Sequence, residues 1–430
     1  MATQIGIIAD DFTGANDSGV RLAQKGLKSR VILANSEELA LTLDQDIDVW
    51  IVDTDSRALQ AKDAYRAVFQ EVDRLKKLGV TSFYKKIDST LRGSIAAELK
   101  AMQDSAATDL ILIAPAFPSM GRTVDRGKLF VNGIPVAETE FARDPKTPVL
   151  SSFIPDLLAS EGIKTAVLSR DILHANNPEK WVRDQVQAGV KWVVCDTVKE
   201  EDFPVLAQIE AKLDLSVGWA GSAGMINHLY TDLVRGGQTN SLQHPISKVL
   251  IVSGSLSGKT QEQLTALKAR ANTKMLEIDP VELLDDPVHA GRKVADLAAQ
   301  KGWDSAVIYV GGSQENRNRV SKWAEEKNLS VNQTGKGISQ GLGYLVQSAL
   351  HLADFDALIM TGGDTAKDIC NVLGIHDMEL RFEVEAGLPL GMVKWNGKEL
   401  VAITKAGGFG KADSLTNAVD YLKGAGLHAN

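Results

Sequence analysis

Two acidic residues stand at the end of the first apolar run of the sequence. Asp10 and Asp11 follow residues 5–9 directly and precede Thr13. Adjacent carboxylates disfavour each other's ionised form unless a cation or a polar ligand lies close by. The alternative is that Asp11 or Thr13 only caps a helix that begins here. We expect Asp10 and Asp11 to contact a polar ligand, and both are candidate catalytic carboxylates. A haloacid dehalogenase nucleophile is not indicated, because its two acids would stand two residues apart.

The densest polar cluster covers residues 85–93 and again follows an apolar run. Ammonium and guanidinium groups pair with carboxylates, while Asp and Ser side chains bind hydroxyls. The cluster therefore predicts a site for a small anionic polyol, the alternative being a solvated charged turn. The rigid loop 115–123 contributes a further guanidinium. The candidate substrate-binding residues are Asp10, Asp11, Lys85, Lys86, Asp88, Ser89, Arg92 and Arg122, with Asp10, Asp11 and Asp88 as candidate catalytic residues.

Glycine-rich turns follow predicted strands in the second half of the chain, at 253–260, 310–313, 361–365 and 405–410. Glycine lets backbone N–H groups approach an anion closely, and a helix N-terminus after the turn adds favourable charge. In an open parallel sheet, ligands bind beyond the carboxyl ends of the strands. The turns therefore predict a phosphate site. Its candidate residues are Ser253, Ser255, Ser257, Gly362, Gly363, Asp364, Thr365, Gly407 and Gly408.

The first of these turns nearly matches a Walker A loop. Gly258, Lys259 and Thr260 would need a glycine five residues before Gly258, but that position is Ser253. The glycine that is present, Gly254, stands one residue too close, so the loop would be too short to hold a phosphate in that way. A P-loop is therefore the second interpretation. The serines of this turn bind the ligand or, alternatively, only cap the following helix.

Composition and charge exclude several classes of protein. A formal charge of −8 argues against a nucleic acid as the main partner. No apolar stretch reaches the length of a membrane span, and the first residues do not resemble a signal peptide, so we expect a soluble cytoplasmic protein. Cys195 and Cys370 stand far apart in or beside apolar runs and are expected to be buried thiols. No zinc-type spacing and no G-x-S-x-G hydrolase motif occurs.

Short apolar runs alternate with helical stretches along the chain. The predicted strands are 5–9, 29–33, 49–52, 82–85, 110–114, 165–168, 192–195, 248–252, 306–310, 357–360 and 400–404. Most are apolar on both faces, which is typical of parallel strands covered by helices. A polar segment at 235–245 interrupts the pattern. We therefore predict an α/β fold with two domains, 1–235 and 245–430, each a mainly parallel sheet flanked by helices.

In this order and spacing, the motifs resemble those of the four-carbon acid sugar kinase family, formerly a family of unknown function. The resemblance runs along the whole chain and includes residues 10–15, 85–93, 115–122, 221–224, 253–257, 361–365 and 405–410. The segment 85–93, Lys-Lys-Ile-Asp-Ser-Thr-Leu-Arg-Gly, is similar to that of the D-threonate kinase branch. Asp364 departs from the family, whose members often carry Glu there, so the carboxylate is retained on a shorter side chain.

The resemblance implies a sugar-acid-binding N-terminal domain, a nucleotide-binding C-terminal domain and an active site in the cleft between them. It implies ATP and Mg²⁺, transfer to the C4 hydroxyl of an acceptor such as D-threonate, and a domain closure that excludes water. D-erythronate, L-threonate and a 3-oxo-tetronate are alternative acceptors, and a non-catalytic sensor of nucleotide and metabolite is an alternative of another class. The sequence does not rank the three candidate catalytic carboxylates. The expected partners are a sugar acid and ATP, with no nucleic acid and no membrane, and a homodimer is left open.

Overall fold

The computed structural model describes residues 4–33, 46–144, 146–233, 236 and 246–424. The chain divides into two compact units, Met1–Gly237 and Gln238–Asn430. Of the predicted linker at 235–245, only Gly236 lies within the described residues. The exact boundaries 1–235 and 245–430 therefore stay a prediction.

The first unit is built around a parallel sheet with the strand order β2-β3-β1-β4-β11-β5-β10-β9, and a small antiparallel sheet with the order β6-β7-β8. Its strands are β1 (Ile5–Ala9), β2 (Ser29–Leu33), β3 (Val49–Asp53), β4 (Ser82–Lys86), β5 (Leu110–Ala114), β6 (Arg122–Asp125), β7 (Lys128–Val131), β8 (Ile134–Pro135), β9 (Thr165–Leu168), β10 (Trp192–Cys195) and β11 (Val217–Gly221). Its helices are α1 (Phe12–Gln24), α2 (Ala61–Lys77), α3 (Ile95–Ala106), α4 (Ile154–Leu158), α5 (Arg170–Leu173), α6 (Pro178–Gln187), α7 (Asp202–Glu210) and α8 (Ala223–Ile226).

The connections in this sheet reverse direction between β1 and β4. β1 continues through α1 to β2 on one side, whereas β4 continues through α3 to β5 on the other side. The carboxyl ends of the two strands lie side by side, because Ala9 is paired with Lys86. Loops diverge at such a switch point and leave a crevice where open α/β sheets bind ligands. The acidic and basic residues predicted at 10–11 and 85–92 therefore meet at one place.

The second unit has a sheet with the strand order β13-β14-β12-β15-β18-β17-β16, in which β17 pairs antiparallel with both of its neighbours. Its strands are β12 (Val249–Ser253), β13 (Thr273–Ile278), β14 (Ser305–Val310), β15 (Ala357–Thr361), β16 (Asp377–Glu383), β17 (Pro389–Trp395) and β18 (Lys398–Lys405). Its helices are α9 (Gly258–Ala269), α10 (Pro280–Asp285), α11 (Pro287–Ala299), α12 (Gln314–Glu326), α13 (Val331–Leu352), α14 (Gly363–Leu373) and α15 (Ser414–Leu422).

A second switch point lies between β12 and β15. β12 leads through α9 to β13 on one side of the sheet, while β15 leads through α14 to β16 on the other side. The paired residues Ser253 and Thr361 end the two strands, so the glycine turns that follow them diverge from the same point. Within the described ranges, no helix is long and apolar enough to cross a membrane.

The predicted α/β class and mainly parallel sheets are confirmed, and the predicted strands agree with the structure to within two residues at either end. Some strands that have half-buried positions, such as β13 and β16, were not predicted from the sequence. β16, with the sequence DMELRFE, alternates between half-buried and buried positions, and the residues of β13 are mostly half-buried. A search for runs that are apolar on both faces overlooks such strands, because side chains alternate between the two faces.

A buried ion pair fastens β4 to α3 beneath the first switch point. Nζ of Lys85 lies 3.0 Å from Oε2 of Glu98, with the two side chains 0% and 1% exposed. The same ammonium donates to the carbonyl oxygen of Lys86 at 2.9 Å. Removing one partner of such a pair leaves an uncompensated buried charge, whereas replacing both with apolar groups is often neutral.

We therefore expect Lys85→Met and Glu98→Leu each to lower the free energy of unfolding by about 3–5 kcal/mol. The double variant should recover most of that loss, because no unpaired charge remains in the core. Urea unfolding followed by tryptophan fluorescence measures all three variants against the natural chain. Two single losses that simply add in the double variant would show that the pair is not coupled.

Candidate active site

The guanidinium of Arg57 joins the carboxylates that follow β1. Its Nε and Nη2 donate to Oδ2 and Oδ1 of Asp10 at 2.7 and 3.1 Å, and its Nη1 donates to Oδ2 of Asp11 at 2.8 Å. Nη2 also lies 3.9 Å from Oδ1 of Asp88, which belongs to the loop after β4. The other oxygen of Asp11 accepts from the backbone N–H of Gly14 at 2.8 Å, which caps α1. The capping and ligand-binding interpretations of Asp11 are therefore compatible.

Burial and neighbouring charges act in opposite directions on these groups. Burial raises the pKa of Asp10, but attraction by Arg57 and then by Lys85 outweighs it, so the net pKa is lowered. Burial also raises the pKa of Asp88, and Arg57 followed by Arg92 brings it well below its ordinary range. Burial alone would lower the pKa of Arg57, yet the carboxylates around it raise the pKa further than burial lowers it. Asp10 and Asp88 are therefore ionised and paired near neutral pH.

Arg92 holds the loop that follows β4. Its Nε and Nη2 donate to the two carboxylate oxygens of Asp88 at 2.8 and 3.2 Å, and its Nη1 donates to Asp144 at 3.2 Å. The guanidinium lies 5.5 Å from the ring centroid of Phe141. Since a guanidinium has five N–H groups, one N–H on each terminal nitrogen remains uncommitted among the described contacts. Arg92 therefore retains two N–H groups for a ligand, while the other three fix the loop.

Lys86 places its ammonium against the first turn of α1. Its buried side chain donates to the carbonyl oxygen of Ile87 at 2.9 Å. A Cβ on Gly14 would lie 2.9 Å from Nζ of Lys86, so a larger residue would displace the ammonium. The positive end of the helix dipole and the ammonium together favour an anion at this point. Lys85 leaves the strand on the opposite face, towards Glu98.

The other predicted contacts of the first unit have different surroundings. Lys85 has no exposed surface and is engaged by Glu98 and the backbone. Ser89 is half-buried beside Asp88. Arg122 begins β6, and its Nη1 donates to the carbonyl oxygen of Met120. Its Nε is buried and has no hydrogen-bond partner among the described residues, and no described contact joins Arg122 to Arg57.

Arg57 was not predicted from the sequence. It belongs to the polar run 53–57, which follows the predicted third strand just as the other clusters follow theirs. Backbone hydrogen bonds hold this loop against the end of β1. The N–H of Thr54 donates to the carbonyl oxygen of Ala9 at 2.9 Å, and the N–H of Arg57 donates to the backbone carbonyl oxygen of Asp10 at 3.2 Å. The rule that polar residues after strands form the site would have found Arg57 had it been applied to every strand.

In the second unit, Ser253 and Thr361 fasten the two strands of the switch point. Both side chains are buried, and their hydroxyl oxygens lie 3.2 Å apart. The backbone N–H of Gly362 donates to the backbone carbonyl oxygen of Lys405 at 2.8 Å, which joins the end of β15 to the end of β18. Ser253 is therefore engaged within the strand pair, and the free part of the turn begins at Gly254.

The next residues of the turn are organised around one carbonyl group. The hydroxyls of Ser257 and Thr260 donate to the carbonyl oxygen of Gly407 at 2.6 and 2.8 Å. Ser257 also accepts from the backbone N–H of Thr260 at 3.2 Å, which caps α9. The contacts of the Ser255 hydroxyl are all long. It donates to Ser257 at 3.3 Å, and it accepts from the hydroxyl of Thr260 at 3.2 Å and from the backbone N–H of Ser257 at 3.4 Å. Its proton is therefore the most available of the three for a ligand.

Two glycine turns approach Ser255 from β15 and β18. A Cβ on Gly362 would lie 3.8 Å from the Cβ of Ser255, and a Cβ on Gly407 would lie 2.3 Å from its hydroxyl oxygen. A Cβ on Gly408 would meet nothing within 4 Å. The three turns therefore come together around Ser255, and their glycines leave the backbone there without side chains. A phosphate site requires such close access to backbone N–H groups.

The first turn of α14 holds the remaining predicted nucleotide contacts. Gly363 begins the helix, Asp364 is exposed and Thr365 is buried. The Walker A alternative gains no support, since Lys259 forms an exposed ion pair with Glu262 at 2.7 Å along α9. Within the part of the chain that the structure describes, no group of three or more His, Cys, Asp or Glu side chains is placed to hold a metal ion.

Both halves of the chain match described domain families. Residues 5–229 match a family described as a sugar-binding N-terminal domain, and residues 250–415 match one described as a nucleotide-binding C-terminal domain. A crystal structure of a Haemophilus influenzae protein superposes with a TM-score of 0.76 at 23% sequence identity, covering 97% of this chain and all of that one. That similarity shows a shared fold.

Curated proteins are similar to this chain along nearly their whole length. D-threonate kinase of Salmonella typhimurium is 33% identical and aligns over 97% of this chain and 98% of its own. D-threonate kinase of Cupriavidus necator is 32% identical over 96% of both chains. D-erythronate kinase of Heliobacterium modesticaldum is 29% identical over 97% of this chain and 96% of its own. The resemblance found in the motifs is thereby confirmed: the chain belongs to the four-carbon acid sugar kinase family and is a phosphotransferase with an alcohol group as acceptor.

Proposed function

We propose that this chain transfers the γ-phosphoryl group of ATP to the C4 hydroxyl of a four-carbon sugar acid, and that the acceptor is D-threonate. The D-threonate kinases of Salmonella typhimurium and Cupriavidus necator are 33% and 32% identical to this chain, which favours D-threonate over D-erythronate, L-threonate and a 3-oxo-tetronate. The observation that carries the proposal is the cluster around Arg57. It combines ionised carboxylates for hydroxyl groups with cations for a carboxylate at a sheet switch point.

The acceptor would bind to the first unit through both kinds of group. Carboxylate oxygens of Asp10, Asp11 and Asp88 would accept from its hydroxyls, and the free N–H groups of Arg92 or the ammonium of Lys86 would bind its carboxylate. We assign Lys85 a positioning role instead, because it is fully buried beneath these residues. The proposed contacts are Asp10, Asp11, Arg57, Lys86, Asp88, Ser89, Arg92 and Arg122.

The catalytic carboxylate remains one of Asp10, Asp11 and Asp88. The lowered pKa values of Asp10 and Asp88 make these two weak bases near neutral pH. Phosphoryl transfer passes through a loose transition state in which positioning and charge neutralisation dominate. A carboxylate here would therefore orient the acceptor hydroxyl and receive its proton late in the reaction.

ATP would bind to the second unit, with its phosphates on the turns around Ser255. Backbone N–H groups of these glycine turns and the hydroxyl of Ser255 would be the donors. Mg²⁺ would enter with the nucleotide as MgATP and would reduce the negative charge of its phosphates. The proposed contacts are Ser255, Gly362, Gly363, Asp364, Thr365, Gly407 and Gly408. We assign Ser253 and Ser257 positioning roles, because their hydroxyls are engaged within the protein.

The direct test is ADP release measured by a coupled assay over a panel of acceptors. D-threonate should give the highest kcat/KM, and NMR should locate the new phosphate on C4. The uncharged polyol threitol should be a poor acceptor, because the cations then have no carboxylate to bind. Equal turnover of threitol and D-threonate would contradict the acid-sugar assignment. No ADP release with any acceptor, despite nucleotide binding, would favour a sensor, and phosphate release without an acceptor would favour an ATPase.

Arg92→Lys keeps the charge but removes the planar fork. We expect it to raise KM for D-threonate by about ten- to a hundredfold, since a charge-assisted hydrogen bond is worth roughly 1.5–3 kcal/mol. KM for ATP should change by less than about twofold, because the substitution lies in the other unit. Arg66→Lys, at an exposed arginine of α2, is the matched control. An unchanged KM for D-threonate in a folded Arg92→Lys protein would remove Arg92 from the acceptor site.

Gly408→Val tests whether phosphate approaches the third turn. A Cβ at this position meets no atom within 4 Å, so we expect the melting temperature to hold while KM for ATP rises by about tenfold or more. Gly407→Val should lower the melting temperature and also raise KM for ATP, because its Cβ also displaces Ser255. Gly335→Ala, in open space on α13, is the control and should leave KM for ATP unchanged. Unaltered ATP affinity in Gly408→Val would show that the phosphates lie elsewhere.

A further inference from the structure

The ammonium of Lys405 is surrounded by carbonyl groups of the loop that follows it. Lys405 ends β18, and its side chain is 2% exposed. Nζ donates to the carbonyl oxygens of Ala406, Gly407 and Phe409 at 2.8, 3.3 and 3.1 Å. An ammonium has three N–H donors. These three carbonyls therefore use its full donor capacity, and none remains for a phosphate.

This arrangement fixes where the amide groups of the loop point. In a planar trans peptide unit, the N–H points opposite to the C=O. The carbonyls of Ala406, Gly407 and Phe409 belong to the same peptide units as the N–H groups of Gly407, Gly408 and Gly410. With the carbonyls turned towards Lys405, those N–H groups point away from it. Successive N–H groups that face one way form a concavity that binds anions.

Further side chains donate to two of the same carbonyls. Nε2 of Gln263 donates to the carbonyl oxygen of Phe409 at 3.0 Å and to that of Lys411 at 2.7 Å. The hydroxyls of Ser257 and Thr260 both donate to Gly407, as described above. Lys405 contacts more of these carbonyls than any of the other side chains just named, and it is the one that carries a charge.

We propose that Lys405 is a positioning residue of the nucleotide site: its ammonium gathers the carbonyls of the 405–410 loop so that the glycine N–H groups face the phosphates. Lys405 itself does not contact the nucleotide. The inference rests on the proposed function, because it assumes that the loop binds the phosphates of ATP. It differs from a Walker-type role, in which a lysine would donate to phosphate oxygens directly.

Protonation of Lys405 provides a readout that a purely structural residue would lack. Burial lowers its pKa to about 8. Above this pH the amine loses one donor and its charge, so the loop relaxes and nucleotide affinity falls. The effect of pH on folding has the opposite sign to its effect on nucleotide affinity. From about pH 8 upwards the unfolded chain binds more protons at this lysine than the folded chain does, so the contribution of Lys405 to the free energy of unfolding rises with pH. Titratable groups on neighbouring segments are Asp364, Lys367, Glu385, Lys411 and Asp413.

The experiment measures Kd for a non-hydrolysable ATP analogue with Mg²⁺ by calorimetry between pH 7 and pH 9.5. In the natural protein, Kd should rise by about tenfold or more over this range, following the deprotonation of one group. Lys405→Met should bind weakly at pH 7 and show no further rise. Lys411→Met, an exposed lysine of the same loop, should follow the natural protein. KM for D-threonate should stay constant throughout.

A double-variant cycle with Gln263→Leu separates positioning from direct contact. Lys405 and Gln263 share the carbonyl of Phe409, so their effects on Kd should be non-additive if both act through the loop. Additive effects, a Kd independent of pH, or an equal loss in Lys411→Met would overturn the inference. If Lys405→Met does not fold, the pH profile of the natural protein and the variant Lys405→Arg still test the inference. Lys405→Arg should bind the nucleotide with a Kd that does not rise at alkaline pH. A natural protein that binds no nucleotide at any pH would instead overturn the proposed function.

Discussion

A single guanidinium between three carboxylates is the contact on which the first unit's candidate site depends. Asp10 and Asp11 stand side by side at the end of a buried parallel strand, where two ionised carboxylates repel each other and lose hydration. Arg57 bonds to both and also lies near Asp88. Because these residues come from the loops after β1, β3 and β4, the same contact that stabilises the acids also aligns three adjacent loops. The crevice at the switch point is thereby pre-organised.

Lysines at strand ends have a related role in both units. Lys85 donates to the carbonyl of Lys86, the last residue of β4, and Lys86 donates to that of Ile87 just beyond the strand. Lys405 likewise donates to carbonyls just beyond β18. A parallel strand that ends in a tight loop leaves carbonyl groups without ladder partners, and buried carbonyls need donors. A lysine at the last positions of the strand supplies them locally. Such a lysine shapes the loop, so its charge alone does not mark it as a ligand contact.

The distinction between shaping and binding alters how the candidate residues are interpreted. Lys85 and Ser257 have their polar groups engaged by the protein, whereas Ser255 and two N–H groups of Arg92 retain capacity for a ligand. Residue type alone would make all four candidate ligand contacts. Counting the donors and acceptors that each side chain has already committed separates them. The separation carries the assignments proposed for the acceptor and nucleotide sites.

The sequence by itself determined the strands that are apolar on both faces, the α/β class and the polar clusters that follow those strands. These features are local: burial on both faces requires apolar runs, and a glycine turn after a strand is visible from a few residues. Only the tertiary structure decided that Arg57 joins Asp10 and Asp11, since the partners are more than forty residues apart and meet through strand order. It also decided that Lys85 turns inward and Lys86 towards α1. Neighbouring side chains of a strand leave on opposite faces, and which face lies against which helix depends on how the chain packs.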